Sequence, residues 1–132
     1  MEAYVIMLNA DEDDRLLTQS VVDEMQVAAP IVYLDSISGI KTHVEDKGLP
    51  SVILINNLDH QHTAIKTIRQ LKTDVLLNHV PVVALGEITT TDYIRQYYRA
   101  GASTYIIKPS TIEATKKKIR LFFEYWLGVA EI

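Results

Sequence analysis

Cysteine is missing altogether from this 132-residue chain, which removes disulfides and thiolate metal sites and agrees with a reducing, cytoplasmic setting. No apolar run approaches the roughly 20 residues that a membrane-spanning helix needs. The opening MEAYVIMLNADEDD has neither a basic region nor a small-residue cleavage site, so no secretory leader is expected. A formal net charge of −4 gives no general attraction to nucleic acid phosphates. The one local basic run, Lys116, Lys117, Lys118 and Arg120, reads as the solvated face of a helix. Neither nucleic acid nor membrane is therefore expected as a partner. Histidines are few and scattered: His60 and His62 share a stretch, but no third ligand lies near them in sequence and no metal site is expected.

What is present is ordinary globular composition, 48% hydrophobic and 23% charged, in a length that suits one core; a single domain over residues 1–132 without a linker is expected. Apolar runs of strand length alternate with helical periods. Tyr4 to Leu8 is unbroken enough to be buried on both faces. The stretch DEDDRLLTQSVVDEMQVA follows, with Leu16, Leu17, Val21 and Met25 as its apolar stripe. Asp11 or Asp13 is its candidate cap, and the acids of its first turn complement the positive helix end. Ile31 to Leu34 is a second strand, SISGIKTHVEDKG a helix closed by Gly48, and Val52 to Ile55 a third strand. Ile65, Ile68, Leu71 and Leu76 then recur at helical spacing. The strand VVAL comes next, then a helix TTTDYIRQYYRAG stopped at Gly101, the strand TYII, and a last helix from near Ser110 through Trp126. Ile112, Ile119, Phe122, Phe123 and Trp126 form the inner face of that helix. Repeated strand–helix units with short connections predict an α/β fold, a doubly wound parallel sheet with helices on both faces.

In such a sheet, chemistry collects beyond the carboxyl ends of the strands. Those ends read Asn9-Ala10 after the first strand, Asn56 after VILI, Gly86 after VVAL and Lys108-Pro109 after TYII. None of the first three ends carries a carboxylate or a hydroxyl. No nucleophile and base can be paired from them, so no enzyme activity is expected.

In order and spacing, DEDDRLLTQ, LPSVILINN, LNHVPVVAL and GASTYIIKP together resemble the receiver domain of two-component response regulators over essentially the whole chain. The resemblance is to stand-alone, CheY-like receivers with no output domain. It implies a flavodoxin-like (βα)5 fold with strand order 2-1-3-4-5. It places the family's magnesium-holding acidic pair on Asn9 and Ala10, with Asp11 close by, and its phosphoacceptor aspartate on Asn56. The switch hydroxyl falls on Gly86 and the rotameric aromatic on Tyr105. Lys108 and Pro109 are retained, and the resemblance implies a cis peptide between them.

An amide cannot attack phosphorus, and a magnesium site wants at least one or two carboxylates. The resemblance thus implies a degenerate or pseudo-receiver that takes part in phosphorelay signal transduction by protein contact, with no cofactor and no phosphorylation. Lys108 is expected to meet the Asn56 carbonyl or Asp11. Two alternatives compete. One is a conventional phosphoaccepting receiver in a shifted loop register, using Asp11 and Asp59. The other is a small-ligand-binding flavodoxin-like domain, weakened because no glycine-rich phosphate loop follows the first strand. Of Tyr97 and Tyr98, one is expected to be exposed. With Arg95, Tyr98, Arg99, Lys116 and Arg120 it would form a face of the fourth helix, fifth strand and fifth helix, open to a histidine kinase, another signalling protein or a second copy.

Overall fold

The structure, a computed structural model, describes residues 3–26, 31–56 and 63–130. Asp59, His60 and His62 lie outside the described residues. Five parallel strands, β1 (Val5–Leu8), β2 (Ile31–Leu34), β3 (Val52–Asn56), β4 (Val82–Gly86) and β5 (Thr104–Ile107), pair in the order β2-β1-β3-β4-β5. Between and after them run α1 (Glu12–Met25), α2 (Ile37–Lys47), α3 (Thr63–Thr73), α4 (Thr91–Ala100) and α5 (Ile112–Gly128).

The apolar runs are continuous in β1, β3 and β4 because helices cover both faces of the sheet there. Alternate residues go to opposite sides. Ile6, Leu8, Ile53, Ile55, Val82 and Ala84 pack with Ile40 and Val44 of α2, Ile65, Ile68 and Leu71 of α3, and Tyr93 and Tyr97 of α4. Val5, Met7, Val52, Leu54 and Val83 pack with Val22 of α1 and Phe122 and Phe123 of α5. β2 and β5, at the sheet edges, are only partly buried.

Three local readings need correction. In α1 the buried residues are Asp14, Thr18, Val21 and Val22, while Leu16 is 64% exposed. The helix therefore turns an acid, not Leu16, toward the sheet. In α5, Thr111 is the N-cap and its hydroxyl accepts from the Ala114 N–H, so the helix starts after Ser110 and leaves Ile112 exposed. After α3, the Asp74 carboxylate accepts from the N–H groups of Leu76 and Leu77 and forms the salt bridge with Lys41 at 3.0 Å. Such side-chain capture of the backbone turns the chain out of the helical path. Leu76 consequently points outward, and Leu77 fills the core.

Gly101 closes α4 in the left-handed region at φ 115°, its N–H bonded to the Tyr97 and Tyr98 carbonyls. An added Cβ there would also stand 2.7 Å from Lys72 Cγ, whose ammonium donates to the Val80 carbonyl at 2.8 Å. Glycine is thus needed both for the turn and for the space.

Leu77→Ala is expected to cost about 2–4 kcal/mol in urea unfolding and Leu76→Ala within about 0.5 kcal/mol. Equal costs would contradict the turn at Asp74.

Candidate functional site

The carboxyl ends of β1, β3, β4 and β5 bring Asn9, Ala10, Asn56, Gly86 and Lys108 to one rim of the sheet. Asn9 leaves β1 in the left-handed region at φ 61°, a conformation that asparagine tolerates better than most residues, and its N–H donates to the Leu34 carbonyl. Ala10 then drops into the apolar layer shared with Val5, Met7, Leu54 and Phe122. A small apolar side chain suits that position, where an unpaired carboxylate would be costly.

Asp11 is the N-cap of α1: its Oδ1 accepts from the Asp14 N–H at 2.8 Å. That bond fixes the first turn and swings Asp14 inward, where it is only 6% exposed. Both oxygens of Asp14 are engaged. Oδ1 accepts from Lys108 Nζ at 2.7 Å, and Oδ2 accepts from the Asn56 side-chain amide at 2.7 Å. Asn56 is itself buried, at 4% exposure. Because a carboxylate can only accept, the amide must turn its nitrogen toward Asp14, and its Oδ1 is buried without a hydrogen-bond partner among the described residues.

The expectation that Lys108 meets the Asn56 carbonyl or Asp11 is therefore corrected: its partner is Asp14. Asp11 is spent on the helix cap and acts on Lys108 only through its charge. The hydrogen bond that Lys108 donates to Asp14, opposed by partial burial and aided by the charges of Asp14, Asp11 and Glu87, raises the Lys108 ammonium above the ordinary lysine range. No cis peptide occurs among the described residues, so Lys108-Pro109 is trans, contrary to expectation. Lys108 continues the β4–β5 ladder by donating its N–H to the Gly86 carbonyl at 2.8 Å.

At the end of β4, Gly86 carries no hydroxyl, and the ring of Tyr105 lies against it. Tyr105 is 8% exposed and donates its hydroxyl to the Ile88 carbonyl at 3.0 Å. Burial, chiefly, raises its phenol above the ordinary tyrosine range.

The residues grouped as a docking face separate into two sets. Arg95, Tyr98 and Arg99 are exposed on α4, with Tyr97 fully buried beside them. Lys116 and Arg120, in contrast, reach Glu24 of α1 at 3.7 and 3.3 Å, on the far side of α5. Acid on a neighbouring helix draws them there. Beside β5, α5 presents Lys118, Leu121 and Tyr125 instead, and Lys118 donates to the Ile107 carbonyl at 2.7 Å. Asp14 and Lys118 were not anticipated as site and face residues. The signal for Asp14 was the phase of α1, since Asp14, Thr18, Val21 and Val22 share one face.

No family model matches the chain. The probable methanogenesis regulatory protein FilR2 of Methanothrix harundinacea is 30% identical over 82 residues, covering 62% of this chain and 53% of that protein. The chemotaxis protein CheY of Pseudomonas aeruginosa is 34% identical over 62 residues, covering 47% of this chain and 50% of CheY. The chain thus spans about half the length of the curated relatives it matches. A response regulator from Hahella chejuensis superposes with a TM-score of 0.85 at 20% identity, covering 99% of each chain. The Mn(2+)-bound response regulator Rcp1 does so with 0.82 at 17% identity, also covering 99% of each. The chain has the flavodoxin-like fold of response regulator receiver domains.

Replacing Lys108 by Met leaves the Asp14 carboxylate buried without its counter-ion. Because the lysine side chain is 30% exposed, the loss is discounted from a fully buried pair to about 1–3 kcal/mol at neutral pH. The double variant D14N/K108M is expected to recover most of it, and additive losses would deny the coupling. The pH dependence has a definite sign. A lysine raised by folding contributes in full below its unfolded pKa and loses the contribution as pH climbs from about 10.5 through the raised value. K108M is expected to lack that alkaline loss in urea titrations.

Proposed function

We propose that this protein is a receiver-type module of two-component signalling that works through protein contacts and accepts no phosphoryl group. One observation carries the reading: at the end of β3, where the resemblance places the phosphoacceptor, Asn56 donates its amide to Asp14 at 2.7 Å. An amide has no anionic oxygen with which to form an acyl phosphate. Lys108, the cation that would stabilise charge in transfer, is already neutralised by the same Asp14.

The donor set does not fit a divalent cation either. Rcp1 is a Mn(2+)-bound receiver. Here Asn9, Ala10 and Asn56 are uncharged, the Asp14 oxygens are taken, and among the described residues no three His, Cys, Asp or Glu side chains are placed to hold a metal. Oxygen-ligating cations of this kind need anionic ligands. Against the shifted-register alternative, Asp11 uses its Oδ1 to cap α1.

Contact at the α4–β5 side, through Arg95, Tyr98 and Arg99, is the corresponding mode of action, with a histidine kinase, another cytoplasmic signalling protein or a second copy as the partner. In support, these are exposed arginine and tyrosine side chains, residue types that concentrate at interface centres. Among the described residues, no helix is long and apolar enough to cross a membrane.

Incubation with acetyl phosphate and magnesium, beside a conventional receiver as positive control, is expected to leave the intact mass unchanged. A stable adduct of one phosphoryl mass on this chain would overturn the proposal.

A further inference from the structure

We infer that the outer edge of β5 is closed to strand addition by two side chains, Tyr98 of α4 and Lys118 of α5, so that a partner at this side meets side chains and not the backbone of the sheet. β5 stands last in the order β2-β1-β3-β4-β5 and has a strand on one side only. Such an edge leaves a row of N–H and C=O groups on which an extended segment of another protein, or a second copy, can pair. The Lys108 N–H turns inward to the Gly86 carbonyl, so by the alternation of a strand the backbone groups of Ile107 and Tyr105 turn outward. Two of those outward groups are taken. The Tyr105 N–H donates to the Tyr98 hydroxyl at 3.1 Å, and the Ile107 carbonyl accepts from Lys118 Nζ at 2.7 Å.

The two caps arrive from opposite faces of the sheet. α4 packs through Tyr93 and Tyr97 on one face, and α5 through Phe122 and Phe123 on the other. Between them the strand is accessible: Thr104, Ile106 and Ile107 are only partly buried and line, with Leu121 and Tyr125 of α5, a groove of about 500 Å³. An incoming strand would have to strip the ammonium from the Ile107 carbonyl and the hydroxyl from the Tyr105 N–H before it could pair. A lysine on an edge strand opposes pairing by its charge as well. Both caps are themselves exposed, and fixing an exposed lysine or tyrosine takes side-chain freedom that a merely solvated position would leave. The closure also separates members of one lysine run: Lys116 reaches Glu24 at 3.7 Å, whereas Lys118 goes to the strand. The inference goes beyond the proposed contact through Arg95, Tyr98 and Arg99, because it excludes backbone pairing there and assigns the Tyr98 hydroxyl to β5. The two fail separately, since phosphoryl incorporation tests that proposal and the state of the β5 edge tests this one.

The test is amide hydrogen exchange of the full chain by NMR, joined to sedimentation velocity over a range of concentrations. In Tyr98→Phe the Tyr105 amide is expected to exchange at least about ten-fold faster than in the native chain, while the Ile106 amide, which faces β4, keeps its rate. Equal Tyr105 rates in the two proteins overturn the cap. The double variant Y98F/K118M is expected to self-associate more than the native chain as concentration rises, and its associated form to protect the Tyr105 and Ile107 amides. A double variant that sediments like the native chain at every concentration, or that associates without protecting those amides, overturns the closure. If the double variant does not stay folded, Lys118→Met alone is read for the same association and the same two amides.

Discussion

The rim of this sheet depends on a buried carboxylate that holds two donors at once. Asp14 sits between Lys108 at 2.7 Å and the Asn56 amide at 2.7 Å, and thereby links α1, β3 and the end of β5. A charge taken out of water is tolerable only when opposite charge and hydrogen bonds replace the lost hydration. Each member of this set needs the others. Lys108 without Asp14 would be a half-buried cation facing an uncharged rim, and Asp14 without Asn56 would leave an oxygen unpaired. The set is closed in the sense that its charges cancel within the fold.

That closure decides what the rim can do. Phosphoryl transfer to a side chain requires an anionic nucleophile and cations free to take up charge on the transferring group. Here the anion is shielded, the cation is committed, and the residue at the strand end is an amide. The placements agree with one another: Ala10 lies in an apolar layer, Asp11 serves a helix terminus, and the ring of Tyr105 lies against Gly86. With uncharged residues at these strand ends, and with Asp14 balancing Lys108, the arrangement is stable on its own.

The strands were legible because burial on both faces writes itself as unbroken apolar runs, whereas their order came from the resemblance alone; Val52–Asn56 and Val82–Gly86 differ from the sequence reading only by their terminal residue. The positions of Asn56, Gly86 and Lys108 at strand ends followed directly. What was not legible is what depends on helix phase. Leu16 and Leu17 look like the start of an apolar stripe, yet one residue's rotation, about 100°, separates Leu16 from the buried face and brings Asp14 onto it. A run of acids at a helix start has a sufficient local explanation in the helix dipole, which conceals that one of them faces inward. The placement of Lys116 and Arg120 was unreadable for a related reason: Glu24, which draws them, lies far away in sequence and on another helix.

The rim and α4 are joined through β4 and β5. Lys108 is held to Gly86 by a ladder bond from its N–H, and the ring of Tyr105, three residues earlier, rests on that same Gly86. Alternate residues of β5 thus face different tasks: the end of the strand delivers the lysine to Asp14, while Tyr105 turns toward α4. Both depend on what stands at the end of β4. A side chain there would displace the phenol, whereas its absence lets the rim and α4 each settle without a group passing between them. Charge balance on one side and ring packing on the other are then two local solutions on a shared scaffold, and the glycine between them is what keeps them independent.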